Sequence, residues 1–460
     1  MRVLHPVLLL VCLGAASIPS ARALEAASNL PTATIIASAP DHATASAEPV
    51  EAPPGKAPAI YTLPLDKLEK AHRLAQARTL IYFGSAASDI AALVLILVLG
   101  WAAGLRDWAA RITPRRWLQG FLFLPALLLL ISVAGLPFSV VGHHLSLVYG
   151  LSIQRWGSWL WDWTKGLALT VAGGTLALAL LAAIIRRSER RWWLWFWAIA
   201  MPLQLLVVFL VPVVIDPMFD HFEPLTKSNP ALVDQLQRVV ARSDLRIPPS
   251  RMFLMRASEK VTGLNAYVTG IGASKRVVVW DTTIAKCPTD EILFIFGHEQ
   301  GHYVLNHIWI GLVAFAVGSF AALWLGFHLL RWMVARWGRA WGVSAVDDWA
   351  AITMLLLASS VFGFFGDPIS NAFSRVIEHH ADIYGQEVIH GLVDDPQRTA
   401  AEAFQKLGEL SLDEPDPNHF LVLWSYSHPS ISRRQSFAAQ YDPWRAGTEP
   451  RYFSTRPHRW

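Results

Sequence analysis

A histidine pair with an adjacent glutamate is the feature of this sequence best suited to chemistry. Residues 296–307 read FGHEQGHYVLNH, so His298 and His302 are four residues apart and Glu299 follows the first histidine. Side chains four apart on a helix lie on one face, and two such imidazoles can bind one tetrahedral metal ion. The glutamate is placed to take a proton from a water that attacks a carbonyl carbon. The pattern indicates a metal-dependent hydrolase, although a polar turn facing solvent or membrane is the alternative.

A metal site of this kind needs a third protein ligand. In one variant of this His-Glu-x-x-His motif, a glycine lies seven residues and a histidine ten residues after the first histidine, but Leu305 and Ile308 occupy those positions here. His307 is out of register, and we interpret it as an interfacial or loop histidine. The segment NAFSRVIEHHADIYGQE instead offers Glu378 and, four residues later, Asp382 on the same helical face. Two histidines and a glutamate leave a fourth position open, as in catalytic zinc sites, and Asp382 could orient a ligand histidine. An exposed acidic face is the alternative for these two carboxylates.

The elements that must carry these residues can be predicted from periodicity. A helix is predicted over PTDEILFIFGHEQGHYVLNH because its opening Pro-Thr-Asp is typical of a helix start. Upstream, NPALVDQLQRVVARSDL has apolar residues on one helical face, which predicts an amphipathic helix. Between them, the short segments RMFLMRAS, LNAYVTG and RVVVWDTTI predict a small antiparallel sheet. The histidine pair therefore belongs to a small α+β region.

This region is embedded in a strongly apolar chain. Of the 460 residues, 53% are hydrophobic and 21 are Trp, and the mean hydropathy is +0.35. This composition argues against an ordinary soluble domain. Runs of about 20 apolar residues can cross the roughly 30 Å hydrocarbon core of a bilayer. Six such runs occur, at residues 81–103, 117–137, 162–185, 192–215, 308–330 and 349–366.

The N-terminal residues have a different character from the rest. Residues 1–23 combine Arg2, a short apolar core and a final Ala-Arg-Ala, so they are predicted to be a cleaved signal peptide, with a first transmembrane helix as the alternative. Residues 24–60 are rich in Ala, Pro, Ser and Thr and predict a flexible linker. The two cysteines are Cys12 and Cys287. Neither a disulfide framework nor a cysteine-ligated zinc site is expected, so any metal must be held by His and carboxylates.

The distribution of arginine predicts the orientation of the chain in the membrane. Three short loops between the apolar runs are rich in arginine: Arg106, Arg111, Arg115, Arg116, Arg186, Arg187, Arg190, Arg191, Arg331, Arg336 and Arg339. Cytoplasmic loops carry an excess of basic residues, so these three loops are predicted to be cytoplasmic. Residues 216–307 and the region after about 367 then lie together on the other side. The net charge of +4 is small and is spread over these membrane-flanking loops. Basic residues in such loops usually set the orientation of the protein in the membrane, so no nucleic-acid partner is expected.

Several motifs together resemble those of the type I CAAX prenyl proteases, a family of integral-membrane zinc metallopeptidases, and more distantly the HtpX-like proteases. They are DPMFDHFEPL, NAY, HEQGH, SRVIEHHAD and SHPSISRR, and the similarity extends from roughly residue 66 to residue 440. The resemblance implies that one Zn²⁺ ion per chain is held by His298, His302 and Glu378. It also implies that Glu299 is the general base and that Asp382 is a proton donor.

The resemblance implies further roles outside the two helices. Asn265 of the NAY motif would hold the substrate backbone beside an edge strand, to which a peptide binds by strand addition. Its alternative is a turn asparagine. His428 of SHPSISRR would donate to the developing oxyanion, and Arg434 would fix the charge of the site. Without the resemblance, His428 would be interpreted as a residue flanking the N-terminus of a helix.

The predicted fold class is an α-helical polytopic membrane protein with an inserted gluzincin-like α+β zinc metallopeptidase domain. After the signal peptide and the linker, a membrane domain with four transmembrane helices is predicted over residues 61–215. The metallopeptidase insert follows over 216–307, and two transmembrane helices over 308–366. The C-terminal region, 367–460, supplies the third zinc ligand and the His and Arg of the site.

The predicted function is that of a membrane-embedded zinc metalloendopeptidase in the lipid bilayer of a bacterial inner membrane, with its active site facing the periplasm and a peptide or protein as substrate. CAAX-type processing and quality control of envelope proteins both remain open, and a monomer is expected. The alternative function is a metal-stabilised transporter or scaffold without proteolytic activity. Transport sites need ionisable residues at bilayer depth, where Asp89 is nearly alone and Gln204 is the comparable polar residue. This pattern favours the peptidase.

Overall fold

The computed structural model describes residues 61–243, 245–445 and 447–453. The predicted signal peptide and the predicted linker, 1–23 and 24–60, lie outside these residues. The chain divides into two compact units. The helical unit comprises Gln76–Phe219 and Phe315–Asp367, and within the described residues the mixed unit comprises 61–75, Asp220–Ala314 and 368–453.

The described residues contain fourteen α-helices, labelled in chain order, and four β-strands. The helices are α1 Leu65–Val98, α2 Trp101–Ile112, α3 Arg116–Val148, α4 Trp156–Arg187, α5 Trp192–Leu210, α6 Leu225–Ser228, α7 Pro230–Val240, α8 Asp281–Lys286, α9 Thr289–Val304, α10 His307–Trp337, α11 Ala351–Val388, α12 Pro396–Ser411, α13 His419–Ser425 and α14 Ile431–Gln440. The strands are β1 Phe222–Pro224, β2 Met252–Met255, β3 Ala266–Thr269 and β4 Arg276–Trp280.

Six helices in the described part of the chain are long and apolar enough to cross a membrane, which confirms the predicted number. They are Leu65–Val98, Arg116–Val148, Trp156–Arg187, Trp192–Met218, His307–Trp337 and Ala351–Val388. Five of them exceed the predicted runs by eight or more residues, because the helices continue into polar sequence that hydropathy alone does not count. The last helix is the longest, with 38 residues. Glu378 and the sixth membrane-length segment therefore belong to one continuous helix.

Arginines from different loops of the helical unit meet at one short segment. Arg106 Nη1 lies 2.7 Å from Asp348 Oδ2, and Arg116 Nη2 lies 3.2 Å from Asp347 Oδ2. The guanidinium of Arg186 lies 4.9 Å from the ring centroid of Trp349. Basic residues of two loops predicted to be cytoplasmic thus contact the same three-residue segment.

The mixed unit contains a four-stranded sheet with the order β1-β2-β4-β3. Strands β1 and β2 are antiparallel, β2 and β4 are parallel, and β3 and β4 are antiparallel. The prediction of a purely antiparallel sheet was wrong, because β4 lies between β2 and β3 and runs in the direction of β2. Periodicity marks strands but contains no information on their order. Strand β3, which follows Asn265, is at an edge of this sheet.

Helices α7 and α9 pack with the sheet around one apolar core. The predicted amphipathic helix is confirmed: Leu232, Leu236, Val239 and Val240 are all buried. Asn229 caps α7, since its side chain accepts a hydrogen bond from the backbone N–H of Leu232. Every residue of α9 from Glu291 to His302 is buried, and α9 packs against both α7 and β3. The helix that carries the histidine pair is thus held firmly in the core.

The C-terminal residues are fixed to α11 and its surroundings. Arg375 donates to the carbonyl oxygens of Val422 and Tyr426, at 2.9 and 2.6 Å. Farther along α11, the buried carboxylate of Glu387 accepts hydrogen bonds from the backbone N–H groups of residues 451, 452 and 453 and from the hydroxyl of Tyr441. Through these contacts, C-terminal residues that are distant from α11 in sequence lie against this helix, which carries Glu378.

Candidate metal centre

Three glycines allow α9 and α11 to approach each other closely. A Cβ atom on Gly385 of α11 would lie 2.8 Å from the backbone nitrogen of His298. A Cβ on Gly297 would lie 2.6 Å from Val388 Cγ1, and one on Gly301 would lie 3.0 Å from Tyr384 Cδ1. Side chains at these positions would separate the helices. The close approach brings the carboxylates of α11 to the histidine pair of α9.

His298, His302 and Glu378 converge at the contact between the two helices. One potential ligand atom from each lies within 4.8 Å of the others. His298 Nε2 is 3.2 Å from His302 Nε2 and 3.2 Å from Glu378 Oε2, and His302 Nε2 is 3.7 Å from Glu378 Oε1. All three side chains are buried, and Glu378 has no exposed surface. Within the described residues this is the single group of three such side chains close enough to hold a metal ion.

The donor atoms fit a divalent cation. Both carboxylate oxygens of Glu378 are buried and accept no hydrogen bond among the described residues, although His298 Nε2 and His428 Nε2 each lie 3.2 Å from Oε2. A buried carboxylate without hydrogen bonds is costly, since ions lose their hydration when they are removed from water. A cation placed among these atoms compensates that cost. Two imidazoles and one carboxylate, with no thiolate, form the donor set typical of catalytic zinc.

Electrostatics at the histidine pair also favour a positive charge. Burial lowers the pKa of His298, but its contacts with Asp382 and Glu378 outweigh burial and raise this pKa to about 9. Burial holds the pKa of His302 well below its usual value, so this imidazole is neutral. Burial raises the pKa of the Glu299 carboxyl to about 7, although the nearby His298 opposes the shift. A carboxylate with a pKa near neutrality is suited to accept and release a proton.

Asp382 and Arg434 form a buried ion pair behind His298. Arg434 donates from Nε to Asp382 Oδ2 at 2.9 Å and from Nη2 to Oδ1 at 2.6 Å. Asp382 Oδ1 also lies 2.9 Å from His298 Nδ1. Burial lowers the pKa of Arg434, but the carboxylate of Asp382 more than offsets it, so the pKa is raised. This geometry lets Asp382 orient His298, while Arg434 balances the carboxylate charge.

His428 and Asn265 also lie in the mixed unit. His428 Nε2 is 3.2 Å from Glu378 Oε2, and its Nδ1 is 3.0 Å from the hydroxyl of Ser427. Asn265 precedes the edge strand β3, and its backbone N–H and C=O both pair with the hydroxyl of Thr283. The side-chain Oδ1 of Asn265 is buried without a partner among the described residues. The backbone of Asn265 is therefore fixed, while its side-chain oxygen is available to a ligand.

The structure also brings a residue to the site that the sequence analysis excluded. His307 is buried, and its Nδ1 lies 3.1 Å from Nδ1 of His302. His307 begins the membrane-length helix α10 directly after the turn at Leu305–Asn306, and its contact with His302 was not predicted from the sequence. The glycines of the helix contact were missed as well. The spacing of Gly297 and Gly301, four residues apart on one helical face, is a sequence signal that could have indicated a close helix contact.

Two family models together match most of the chain. Residues 51–221 match a family model described as the N-terminal region of CAAX prenyl proteases, with five membrane helices. Residues 226–441 match the model of peptidase family M48. Together the two matches include every residue placed in the candidate site.

Similar proteins and a similar structure extend over most of the chain. The uncharacterized metalloprotease YhfN of Bacillus subtilis (strain 168) is 34% identical over 377 residues, which is 82% of this chain and 86% of YhfN. The CAAX prenyl protease 1 homolog of Oryza sativa subsp. japonica is 26% identical over 319 residues, 68% of this chain and 72% of that protein. The crystal structure of Ste24p from S. mikatae has a TM-score of 0.71 at 21% identity and covers 84% of this chain and 93% of that chain. The fold is therefore shared with Ste24p.

Proposed function

Because this chain belongs to peptidase family M48 and is an integral, multi-pass membrane metalloendopeptidase, we propose that its metal is one Zn²⁺ ion held by His298, His302 and Glu378. The convergence of these three buried side chains, with neither Glu378 oxygen accepting a hydrogen bond, is the observation that carries the proposal. A metal-stabilised transporter or scaffold, the alternative, is not favoured by the comparisons.

The remaining residues of the site have separate roles in peptide hydrolysis. When bound, zinc supplies Lewis acidity, which polarises the scissile carbonyl and makes a water acidic enough to react near neutral pH. Glu299 follows the first ligand histidine on α9 and takes the proton of the attacking water. His428 Nε2 donates to the carbonyl oxygen as negative charge develops there. Asp382 orients His298 through Nδ1, and Arg434 holds Asp382 in place.

The peptide binds as an additional strand beside β3. This strand is at the sheet edge and packs against α9, so an extended peptide paired with it runs past the histidine pair. The Oδ1 atom of Asn265 accepts a backbone N–H of the peptide, because it is the polar atom left unpartnered at the start of β3. The relatives named as CAAX prenyl protease 1 homologs suggest C-terminal processing as one substrate class, and quality control of envelope proteins is the other.

The catalytic assignment is tested with two substitutions and a matched control. The Glu299→Gln protein should retain one zinc ion and lose hydrolysis of a reporter peptide, since it keeps the ligands and lacks the base. The Glu378→Ala protein should lose the metal. Glu291→Gln changes another buried carboxylate of α9, paired with Lys406, and should leave both properties intact. Cleavage by Glu299→Gln at the wild-type rate would refute the assignment of the base. Full zinc occupancy in Glu378→Ala would show that another residue is the third ligand, and His428 would be the first candidate.

The substrate class can be identified from what accumulates in cells. In a strain that carries Glu299→Gln, the variant protein should still bind its substrates but not cleave them. Mass spectrometry of the accumulating proteins and peptides distinguishes the two classes. A shared C-terminal tripeptide signature favours CAAX-type processing, whereas scattered internal sites favour quality control.

The active site faces the periplasm, or the equivalent external space, in this proposal. The support comes from the eleven loop arginines and from the contacts of Arg106, Arg116 and Arg186 with residues 347–349. Single cysteines at the exposed positions Glu189 and Asp416, in a chain with both native cysteines replaced by Ala, test it on intact cells. A membrane-impermeant thiol reagent should label position 416 and not position 189. The reverse pattern would place the site in the cytoplasm.

A further inference from the structure

The contact between His302 and His307 has no part in the mechanism above. His302 Nδ1 lies 3.1 Å from His307 Nδ1, and the ring centroids are 5.1 Å apart. Both side chains are buried. His298 has a corresponding arrangement, with Nε2 towards Glu378 and Nδ1 against Asp382. Each histidine of the pair therefore presents Nε2 to the glutamate and Nδ1 to a second polar side chain.

A local break in the helix produces this contact. On a continuous helix, two residues five positions apart point about 140° away from each other, so His302 and His307 would not meet. Helix α9 ends at Val304, and Asn306 has the left-handed value φ = +57° before α10 begins. Asparagine tolerates this conformation better than most residues. The turn folds His307 back onto the preceding helix.

The proton positions follow from the geometry. An imidazole that binds a metal through Nε2 carries its proton on Nδ1, so Nδ1 of His302 can only donate. The atom that it faces is a ring nitrogen, and a hydrogen bond between two ring nitrogens needs one acceptor. His307 must therefore present an unprotonated Nδ1 and carry its own proton on Nε2.

We propose that His307 is a positioning residue that accepts the Nδ1 proton of His302 and thereby directs His302 Nε2 at the metal. The inference rests on the proposed function, because it requires that His302 binds zinc. His307 is a neutral acceptor, whereas Asp382 behind His298 is charged. His307 therefore orients His302 without adding a third carboxylate next to Glu378 and Asp382.

Two substitutions of similar shape separate this role from simple packing. In His307→Asn the side-chain Oδ1 can take the place of Nδ1 as acceptor, and in His307→Leu a methyl group replaces it. Zinc affinity is measured on the purified full chain in one detergent, by competition with a chelator of known affinity. Loss of an outer partner typically costs 10–100-fold in metal affinity, which is the loss expected for His307→Leu. His307→Asn should remain within about threefold of wild type because it keeps the acceptor.

The other outcomes overturn the inference. Equal affinity of His307→Leu and wild type would show that the acceptor is dispensable. Equal weakening in both variants would show that only the shape of the side chain matters. Thermal unfolding of the metal-free proteins detects a general loss of structure.

The His302→Ala variant separates this result from a failure of the proposed function. If His302→Ala retains wild-type zinc affinity, the ligand assignment is wrong. If His302→Ala loses zinc while both His307 variants keep it, only the role of His307 fails.

Discussion

Replacing Gly385 by Ala should lower the activity of the enzyme without removing a single polar group. The added Cβ would lie 2.8 Å from the backbone nitrogen and 3.0 Å from the Cα of His298. Ordinary contacts begin near 3.4 Å, so α9 and α11 must separate by about 0.6 Å. The atoms that would clash belong to the backbone of a fully buried helix segment, so a side-chain rotation cannot relieve the contact.

The expected cost has two parts. Forced overpacking of a core destabilises a protein by about 1–3 kcal/mol, which should lower the thermal unfolding temperature. A catalytic site tolerates displacements of only about 0.5 Å, and a misplacement near 1 Å can cost about 100-fold in rate. We therefore expect kcat/KM to fall between about tenfold and 100-fold, together with weaker zinc retention.

The assay compares this variant with a matched change on the same helix. Gly366 also lies in α11, and a Cβ there would meet nothing within 4 Å. Gly366→Ala should keep wild-type activity, since alanine favours a helix by up to about 1 kcal/mol over glycine. Peptide cleavage, zinc content and thermal unfolding are measured on both proteins in the same detergent. If Gly385→Ala keeps kcat/KM within about twofold of wild type, close helix contact does not set the site geometry.

Two further predictions concern groups outside the centre. Burial raises the pKa of the Cys287 thiol to about 12, so the thiol stays protonated at pH 8. Iodoacetamide should therefore modify Cys287 only after the protein unfolds. Rapid modification of the folded protein would contradict the burial of this thiol. Glu387→Gln places amide hydrogens near the three backbone N–H donors, which should destabilise the fold by about 1–3 kcal/mol in thermal unfolding and leave zinc content unchanged. An unchanged unfolding temperature would show that residues 451–453 add nothing to stability.

Local patterns in the sequence predict the helices and the membrane-length segments well. The spacing of His298 and His302 requires only one helical turn, so it can be interpreted without knowledge of the tertiary structure. The amphipathic face of α7 and the six apolar runs follow from periodicity and length alone. Glu378 was found because a catalytic zinc site needs a third ligand and a second helix offered a carboxylate. Apart from the link between Glu378 and the histidine pair, these inferences use residues close together in the chain.

Relations between distant segments were beyond such patterns. The pair of Asp382 with Arg434 spans 52 residues, and only the family resemblance suggested that Arg434 belongs to the site. The strand order depends on how β4 inserts between β2 and β3, which side-chain alternation does not encode. His307 was set aside as a third ligand because it does not match the spacing of the motif, and its contact with His302 depends on the left-handed residue Asn306, which that spacing does not reveal.

The continuity of α11 makes the site sensitive to chain length. Arg375 fixes one turn of this helix to the carbonyl oxygens of Val422 and Tyr426, and Glu378 follows three residues later. Each residue of a helix advances the chain by 1.5 Å and rotates it by about 100°. One residue inserted between Arg375 and Glu378 would therefore turn the carboxylate away from the histidines while every ligand remained in the sequence. Natural or engineered variants should tolerate substitutions in this turn far better than insertions or deletions.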